Sequence, residues 1–304
     1  MRCDNNSQLS ASNPPLSPPR ATPGVITTLG PVTEDAQLSI ASVNVNGVRA
    51  ASRKGLLEWL AQTAVDAVCL QETRADDAQL RIALAGALDA GWHVKSAEPS
   101  AKGRNGVAVL TRVAPTAVRI GFGAPEFEHC GRYIEVDLPT VTGAVTVASL
   151  YLPSGEVNTP RQDEKERFML AFQPYLRRLA ASQAVVCGDW NIAHTENDLK
   201  NWKTNQRSSG FLAHEREWMN ELLTAESGWV DVVRALHPAV AGPYTWWSYR
   251  GRAFDNDAGW RIDYQMATGA LASTAAWAQV ERASEHALRW SDHAPLTVGY
   301  SWAA

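Results

Sequence analysis

From Leu38 onward, short apolar segments alternate with longer amphipathic ones, and this alternation restricts the chain to a mixed α/β fold. Some of these short segments are joined by tight turns and others by helices, which favours mixed sheets packed face to face with helices outside. The predicted strands cover 38–45, 65–71, 105–111, 132–138, 144–152, 184–190, 262–268 and 294–300. The clearest predicted helices cover 53–63, 76–88, 160–181 and 214–224.

The N-terminal segment differs in composition from the rest of the chain. Residues 1–35 carry several prolines among Ser, Asn and Thr, and few large apolar side chains. Such a segment cannot bury enough surface to offset the entropy of ordering it. The remainder of the 304 residues is long enough for one large domain with a substantial core. We therefore predict a disordered tail over 1–35 and a single domain over 36–304.

Cysteine usage and hydropathy indicate a soluble protein. The four cysteines have no Cys-x-x-Cys spacing, and Cys69 and Cys187 lie inside strand-like runs, so we expect reduced core thiols. No apolar run approaches the roughly 20 residues that cross a bilayer. The N-terminus lacks the basic-then-apolar pattern of a secretory signal. These features predict a cytoplasmic protein of a reducing compartment that does not act at a membrane.

The charge distribution is uneven. A net charge of −4 provides no basic field over the whole molecule, which weighs against a nucleic-acid partner. Basic residues nevertheless gather beside the predicted strand ends, as Arg49/Arg53/Lys54, Lys102/Arg104, Lys200/Lys203/Arg207 and Arg250/Arg252. These clusters are either solvated loop charges or local phosphate contacts.

Several predicted strands end in polar residues. The apolar run 184–187 leads into Gly188-Asp189-Trp190-Asn191, which places a carboxylate and a carboxamide together at the rim of a sheet, where α/β folds usually keep their chemistry. A local Asx turn is the alternative interpretation. The pattern recurs at three other predicted strand ends, Glu72, Asp263 and Ser291-Asp292-His293. Four polar strand ends of this kind predict one shared site.

Two polar residues at predicted strand ends, Asn44 and Glu72, favour a hard divalent cation. Asn44 is the first polar interruption at a strand end, although the following Asn46-Gly47 is also a strong turn signal. Mg²⁺ prefers one or two carboxylates and several waters, so Glu72 with Asn44 beside it suits Mg²⁺ rather than zinc. A lone surface glutamate is the alternative interpretation of Glu72.

His293 directly follows Asp292, and a neighbouring carboxylate can select the imidazole tautomer and raise its pKa. A charged or hydrogen-donating imidazole suits a phosphate oxygen. Ser291 has no Gly-x-Ser-x-Gly sequence around it, which disfavours a Ser-His-Asp hydrolase.

Nine motifs, in order, resemble the exonuclease III family, the abasic-site endonucleases of base-excision repair. Their order and spacing cover essentially all of 38–302. The motifs are Asn44-x-Asn46-Gly47-x-Arg49-Ala50, Leu70-Gln71-Glu72-Thr73, Gly106-Val107-Ala108, Tyr151-x-Pro153-x-Gly155, Gly188-Asp189-Trp190-Asn191, Glu215-Arg216-x-Trp218, Tyr244-Thr245-Trp246-Trp247-x-Tyr249-Arg250, Trp260-Arg261-Ile262-Asp263-Tyr264 and Ser291-Asp292-His293.

The resemblance implies a four-layer α/β sandwich, with two packed mixed sheets flanked by helices and the site at one edge. It implies Mg²⁺ as the cofactor, with Mn²⁺ able to substitute. Glu72 resembles the metal carboxylate, with Asn44 as a weak ligand or in contact with the ligands. An additional ion would use Asp189, Asn191 and Asp292.

The remaining roles implied by the resemblance belong to the reaction itself. Asp189 resembles the residue that orients or deprotonates the attacking water. Asn191 would donate to the scissile phosphate, as would His293 held by Asp292. Tyr151 resembles the phenol near the phosphate, and Asp263 the proton donor to the leaving oxygen.

The resemblance also implies how DNA is held. Trp246 and Trp260 would wall the pocket for an extruded abasic sugar, although both are also typical core aromatics. A small apolar pocket excludes a normal flipped base, and unstacking costs least where the base is missing. Phosphates would be contacted by exposed basic residues, namely Arg49, Lys102, Arg104, Lys203, Arg207 and Arg250.

The predicted function is metal-dependent hydrolysis 5′ to abasic sites in duplex DNA, leaving a 3′-OH, by a monomer that also has 3′→5′ exonuclease and 3′-phosphatase or phosphodiesterase activity. Another phosphodiesterase of the same superfamily is one alternative, namely a nonspecific DNase, a phosphoinositide phosphatase or a sphingomyelinase. A catalytically silent regulator that binds RNA or protein is the other. The segment from Trp246 to Asp263 and the Glu215-Arg216-x-Trp218 motif favour the repair enzymes.

Overall fold

Two packed β-sheets form the centre of the fold. The computed structural model describes residues 27–29, 38–141 and 143–301. The strands of this part of the chain are β1 (Thr27–Leu29), β2 (Leu38–Asn44), β3 (Ala67–Gln71), β4 (His93–Ala97), β5 (Val107–Thr111), β6 (Ala117–Ile120), β7 (Tyr133–Thr140), β8 (Gly143–Tyr151), β9 (Ala184–Asp189), β10 (Trp229–Asp231), β11 (Asp263–Thr268), β12 (Ala275–Val280) and β13 (Leu296–Tyr300).

Each sheet is mixed. The first has the order β1-β12-β13-β2-β3-β5-β4, and the second has the order β10-β11-β9-β8-β7-β6. The neighbours β2 and β3 are parallel, as are β8 and β9, whereas the other pairs are antiparallel. Parallel strands carry their chain ends to the same edge, which matters for the site below.

Most helices pack on the outer faces of the two sheets, whereas Val232 and Leu271 place the last two helices against the core between the sheets. They are α1 (Val48–Ala51) with its helical continuation Ser52–Leu56, α2 (Leu57–Gln62), α3 (Asp77–Ala83), α4 (Ala85–Asp89), α5 (Pro160–Leu179), α6 (Trp202–Asn205), α7 (Ala213–Leu222), α8 (Val232–Leu236) and α9 (Gly269–Ala272). The longest, α5, begins where the Thr159 hydroxyl accepts a hydrogen bond from the Arg161 N–H, with Pro160 in the first turn.

Alternation along the strands produces a layered core. In β2, Ile40 packs between the two sheets, whereas Ala41 and Val43 face the first helical layer. On the second sheet, Val185 faces inward and Val186 packs with Phe168 and Phe172 of α5. The order of layers is therefore helix, sheet, sheet, helix, which confirms the predicted four-layer sandwich.

The predicted elements differ from the observed ones mainly at edges and breaks. All eight predicted strands are present within about two residues of their predicted ends. The strands β1, β4, β6, β10 and β12 were not predicted. The first four are edge strands, which lack the continuous apolar runs of doubly buried strands, and β12 is only partly buried. The predicted helix 53–63 is interrupted at Gly55, whose φ is 145°, and the predicted helix 76–88 is divided at Leu84.

The N-terminal segment is only partly described. Thr27–Leu29 pairs antiparallel with β12, inside the range predicted to be disordered. The rest of 1–35 lies outside the described residues, so the division into a tail and one domain stays a prediction. Among the described residues, no helix is long and apolar enough to cross a membrane. Cys69, Cys130 and Cys187 are free thiols, as expected, and Cys3 lies outside the described residues.

Candidate active site

The two sheets bring the predicted polar strand ends to one edge. The pairing of β2 with β3 places Asn44 opposite Gln71, directly before Glu72. The pairing of β8 with β9 places Tyr151 opposite Asp189, and β11 begins with Asp263 opposite Asp189. A cleft of about 460 Å³ opens at this edge. Of the predicted site residues, it is lined by Glu72, Tyr151, Asp189, Asn191, Trp246, Trp260, Asp292 and His293, whereas Asn44 and Asp263 lie behind its wall.

Asn44 connects two carboxylates. Its fully buried side-chain Nδ2 donates to Glu72 Oε1 and to Asp189 Oδ2, both at 2.9 Å. Its Oδ1 accepts a hydrogen bond from the Asn46 N–H at 2.9 Å. Asn44 therefore sets the distance between the two carboxylates and orients one oxygen of each.

Glu72 lines the cleft, and its second oxygen is paired with Arg74. Glu72 Oε2 accepts from Arg74 Nε at 2.9 Å and also pairs with the terminal guanidinium nitrogen of Arg74, while the Glu72 side chain remains 14% exposed. Tyr151 lies close by. Burial raises the pKa of Tyr151 well above its usual value, and the charges of Glu72 and Asp189 raise it further. Tyr151 is therefore a neutral phenol that can donate a hydrogen bond into the cleft.

The partner of His293 is Asp263, not Asp292. His293 Nδ1 lies 2.8 Å from Asp263 Oδ2, and the same oxygen accepts from Thr245 Oγ1 at 2.6 Å. Asp263 is fully buried behind His293 and does not line the cleft. The prediction that Asp292 holds His293 was therefore wrong. The structure also argues against Asp263 as a proton donor to the leaving oxygen, because its carboxylate contacts the imidazole rather than the cleft.

Asp292 instead joins the loop after β2 to the tryptophan wall. Its Oδ1 accepts from Asn46 Nδ2 at 2.8 Å, and its Oδ2 accepts from Trp246 Nε1 at 3.1 Å. Trp246 and Trp260 are both half-buried, with ring centroids 6.1 Å apart and planes at 78°. Asp292 thus fixes the orientation of Trp246 at the side of the cleft.

His293 and Asp189 lie close enough to shift each other's pKa, with His293 Nε2 3.8 Å from Asp189 Oδ2. Burial alone would lower the pKa of His293, but Asp263, Asp189 and Asp292 outweigh it and raise that pKa to about 10. Burial raises the pKa of Asp189 to about 7; His293 and Asn44 oppose this rise, and Asp263 and Glu72 add to it. The imidazole is therefore a cation at neutral pH, and Asp189 has the proton affinity of a general base.

Asn191 occupies a constrained backbone position beside Asp189. Its φ is 52°, in the left-handed region that asparagine tolerates better than most residues. Its N–H donates to Asp189 Oδ1 at 2.9 Å, and its side-chain Nδ2 donates to the Leu152 carbonyl at 2.8 Å. A side-chain amide held in this way is preorganised for a substrate oxygen.

The cleft residues fit a divalent cation. Asp189, Asp263 and His293 place one ligand atom each within 4.8 Å of one another. A cation between these three would have to break the Asp263–His293 hydrogen bond. Glu72 is the better donor, since it lines the cleft and hard cations prefer oxygen ligands with room for water. A cation there would replace Arg74 at Oε2, while Asn44 keeps its hydrogen bond to Oε1. The use of Asp189, Asn191 and Asp292 for an additional ion stays a prediction.

The six predicted DNA-binding residues, Arg49, Lys102, Arg104, Lys203, Arg207 and Arg250, are all exposed. Within the described ranges, none of them forms an ion pair. Arg49 Nη2 lies 3.5 Å from the carbonyl of Arg74 in the cleft wall, and Arg207 directly precedes Ser208 in the same wall. The chain after Arg104 is tied to this wall, since Arg74 N–H donates to the Asn105 carbonyl at 2.9 Å.

Three contributors were not predicted from sequence. Arg74 pairs with Glu72, Asn46 holds Asp292, and Thr245 holds Asp263. Asn46 and Thr245 lie inside two of the nine motifs, so the sequence could have marked them as site residues. It could not have identified their partners, because each partner comes from a distant segment of the chain.

A buried ionic network supports the segment that carries Trp260 and Asp263. Arg261 is 1% exposed and donates to Asp198 Oδ1 at 2.7 Å and to Asp231 Oδ2 at 2.7 Å, and Arg234 also pairs with Asp198. Burial alone would raise the pKa of Asp198, but Arg261 and Arg234 outweigh it and hold that pKa well below its usual value.

We expect Asp198→Asn to lower the free energy of unfolding at pH 7 by about 3–5 kcal/mol, since it removes a negative charge that pairs with two buried guanidinium groups. A lowered folded-state pKa contributes stability that is present above the unfolded value of about 3.9 and is lost as pH falls through the folded value. The difference between parent and variant should therefore shrink between pH 5 and pH 3. Urea unfolding at pH 7, 5 and 3 measures this difference.

The control variant Asp77→Asn removes a partly exposed i,i+4 ion pair and should cost less than about 1 kcal/mol. An equal loss of stability in both variants would contradict the assignment of Asp198 to a buried network.

Comparison with known proteins agrees with the fold and identifies the family. The Endonuclease/Exonuclease/phosphatase family model matches residues 41–293. A DNA-(apurinic or apyrimidinic site) endonuclease of Dictyostelium discoideum is 33% identical over 271 residues, covering 88% of this chain and 72% of the relative. An exodeoxyribonuclease of Bacillus subtilis (strain 168) is 36% identical over 264 residues, covering 86% of this chain and 98% of the relative.

Two solved structures have the same architecture. One is a 3′ phosphatase from Neisseria bound to a product DNA hairpin, and the other is an AP endonuclease from Archaeoglobus fulgidus. Each has a TM-score of 0.76 and 28% identity, and each alignment covers 87% of this chain and 100% of the other. These matches confirm the resemblance found in the motifs. Because the family model matches residues 41–293, and the sheet order and the cleft are consistent with that match, the chain belongs to the endonuclease/exonuclease/phosphatase family.

Proposed function

We propose that the protein is a DNA repair phosphodiesterase. It hydrolyses duplex DNA on the 5′ side of abasic sites, leaves a 3′-OH, and also removes nucleotides and phosphate groups from 3′ ends. The observation that carries this proposal is one cleft that holds the Glu72 and Asp189 carboxylates, the His293 imidazolium and a wall of two tryptophans. The names of the relatives, which include an AP endonuclease, an exodeoxyribonuclease and a 3′ phosphatase, support the same set of activities.

Phosphodiester hydrolysis must offset charge on the nonbridging oxygens and stabilise an alkoxide leaving group. Mg²⁺, or Mn²⁺ as a substitute, would be held by Glu72 and would supply part of the positive charge that offsets the charge on these oxygens. Asp189 accepts the proton of the attacking water, for which its pKa near 7 is suited. The His293 imidazolium and the Asn191 amide donate to phosphate oxygens, and Tyr151 donates from its neutral phenol. Asp263 acts through His293, as its orienting partner.

The tryptophan wall accounts for a preference for abasic sites. Trp246 and Trp260 meet edge to face, and Asp292 orients Trp246 through its indole N–H, so the wall is both apolar and fixed. Such a pocket accepts a sugar without its base and excludes a full nucleotide, while extrusion costs least where the base is already missing. The exposed arginines and lysines around the cleft contact backbone phosphates, and a monomer is sufficient because all of these residues belong to one chain.

The proposal is tested with a duplex that carries a single tetrahydrofuran abasic analogue, incubated with Mg²⁺ and with EDTA. We expect metal-dependent incision 5′ to the analogue and no incision of the intact duplex. A blunt duplex with 3′-OH or 3′-phosphate ends measures the two end-processing activities in parallel. Absence of incision at every enzyme concentration would refute the proposal, and equal cutting of intact and abasic duplex would indicate a nonspecific DNase.

The metal assignment predicts that Glu72→Gln weakens divalent cation binding by at least about tenfold, because it removes the carboxylate charge while keeping the hydrogen bond from Asn44. Mn²⁺ binding to the free protein, followed by electron paramagnetic resonance, measures this without any substrate. Glu58→Gln removes an exposed carboxylate of α2 and serves as the control. Unchanged Mn²⁺ affinity in Glu72→Gln would place the ion elsewhere.

A further inference from the structure

A fully buried lysine lies beneath the wall of the cleft. Lys165 on α5 and Glu215 on α7 are both 0% exposed, and Lys165 Nζ lies 2.7 Å from Glu215 Oε1. Buried ion pairs add little net stability, because desolvation offsets most of the attraction between the charges. Neither residue lines the cleft, so neither contacts substrate.

The ammonium group of Lys165 donates to the backbone of the cleft wall. It binds the Asn191 carbonyl at 3.0 Å and the Ser154 carbonyl at 3.5 Å. Among the described residues, no donor other than Lys165 binds the Asn191 carbonyl, and the Asn191 N–H donates to Asp189. The peptide groups on both sides of Asn191 are therefore fixed, which maintains the unusual φ of 52° at that residue.

Glu215 extends the same support to the opposite part of the wall. Its Oε2 accepts from the Gly210 N–H at 2.7 Å and from the Leu212 N–H at 3.0 Å. The Gly210 carbonyl in turn accepts from the Ala193 N–H at 2.7 Å. The ion pair thus links the segments 154–155, 191–193 and 208–212.

We propose that Lys165, paired with Glu215, is a positioning residue that holds Asn191 and the adjoining cleft wall in the geometry needed for phosphate binding. This inference rests on the proposed function. Placement errors of about 1 Å at a reacting group can reduce rate by about 100-fold, even when the altered residue is remote from the chemistry. A buried charge is useful here because it can bind two carbonyls and a carboxylate at once, which an apolar side chain cannot do.

The test is the double variant Lys165→Met with Glu215→Gln. Methionine fills similar volume, and glutamine retains an acceptor for Gly210 and Leu212, so no charge is left unpaired. We expect a melting temperature within about 3 °C of the parent, a kcat that is about 10–100-fold lower on the abasic duplex, and a KM changed by less than about threefold. The control, Arg167→Met with Glu126→Gln, removes an exposed ion pair between the same helix and the loop before β7, and it should leave all three values unchanged.

Hydrogen exchange followed by mass spectrometry provides a readout that does not require activity. Residues 189–193 and 208–212 should exchange faster in the double variant than in the parent, with no change in the remaining core peptides. A folded double variant with parental kcat and parental exchange would overturn the inference. Faster exchange in a protein whose parent shows no incision would support the positioning role and refute only the proposed function. Lys165→Leu with Glu215→Gln provides the same comparison if the methionine variant does not fold.

Discussion

Replacing Asp189 by Asn is expected to reduce kcat on the abasic duplex by about 10²–10⁴, the usual contribution of general acid–base catalysis, while the Kd for that duplex changes by less than about threefold. Asparagine has the same shape, and its single amide oxygen can still accept from the Asn191 N–H. Its amide nitrogen then faces the Asn44 amide, so only that one hydrogen bond is lost and the local structure should survive. It cannot accept the proton of the attacking water. Single-turnover incision gives the rate, and fluorescence anisotropy with a labelled duplex in EDTA gives the affinity.

Asp89→Asn, an exposed position at the end of α4, is the matched control and should behave as the parent in both measurements. A parallel loss of rate and affinity in Asp189→Asn, together with a lower melting temperature, would mean that Asp189 is structural rather than catalytic.

Replacing Asp263 by Asn is expected to reduce kcat by about 10²–10³, the typical cost of losing one oriented donor to the developing charge. The carboxylate of Asp263 accepts from the Nδ1–H of His293 and so orients the ring, and it is the strongest of the partners that raise the pKa of His293 to about 10. Without it, burial lowers the pKa of the imidazole, and less imidazolium is present at neutral pH. The orienting hydrogen bond is also weakened.

The ¹⁵N chemical shifts of His293 across a pH titration measure this effect directly in the metal-free protein. The pKa of His293 should fall clearly in Asp263→Asn and remain high in Asp292→Asn, which alters the sequence neighbour of the histidine. The reverse result would restore Asp292 as its partner. Thr245→Val removes only the second hydrogen bond to Asp263 and should have a smaller effect on both kcat and the pKa.

Much of the fold could be predicted because it depends on local patterns. The run 184–187 is continuous and apolar since β9 is covered on both faces, and α5 begins at Thr159-Pro160 because that pair satisfies the requirements of a helix start. Edge strands such as β6 escaped prediction, since their exposed residues do not form an apolar run. The polar residues at the strand ends were recognised for the same local reason, as interruptions of apolar runs.

The pairing of the site residues could not be predicted in this way. Asp292 and His293 are adjacent in sequence and both line the cleft, yet they bind partners from different segments of the chain. His293 meets Asp263 from β11 of the second sheet, and Asp292 meets Asn46 and Trp246.

Sequence alone therefore determined the layered α/β architecture, the family and most members of the site, because hydrophobic periodicity and the motifs at strand ends are local properties. The tertiary structure decided which carboxylate orients the histidine, which residue connects Glu72 to Asp189, and that a buried lysine supports Asn191. These outcomes depend on how the two sheets and the helices are packed against one another, and residues distant in sequence come into contact only in that packing.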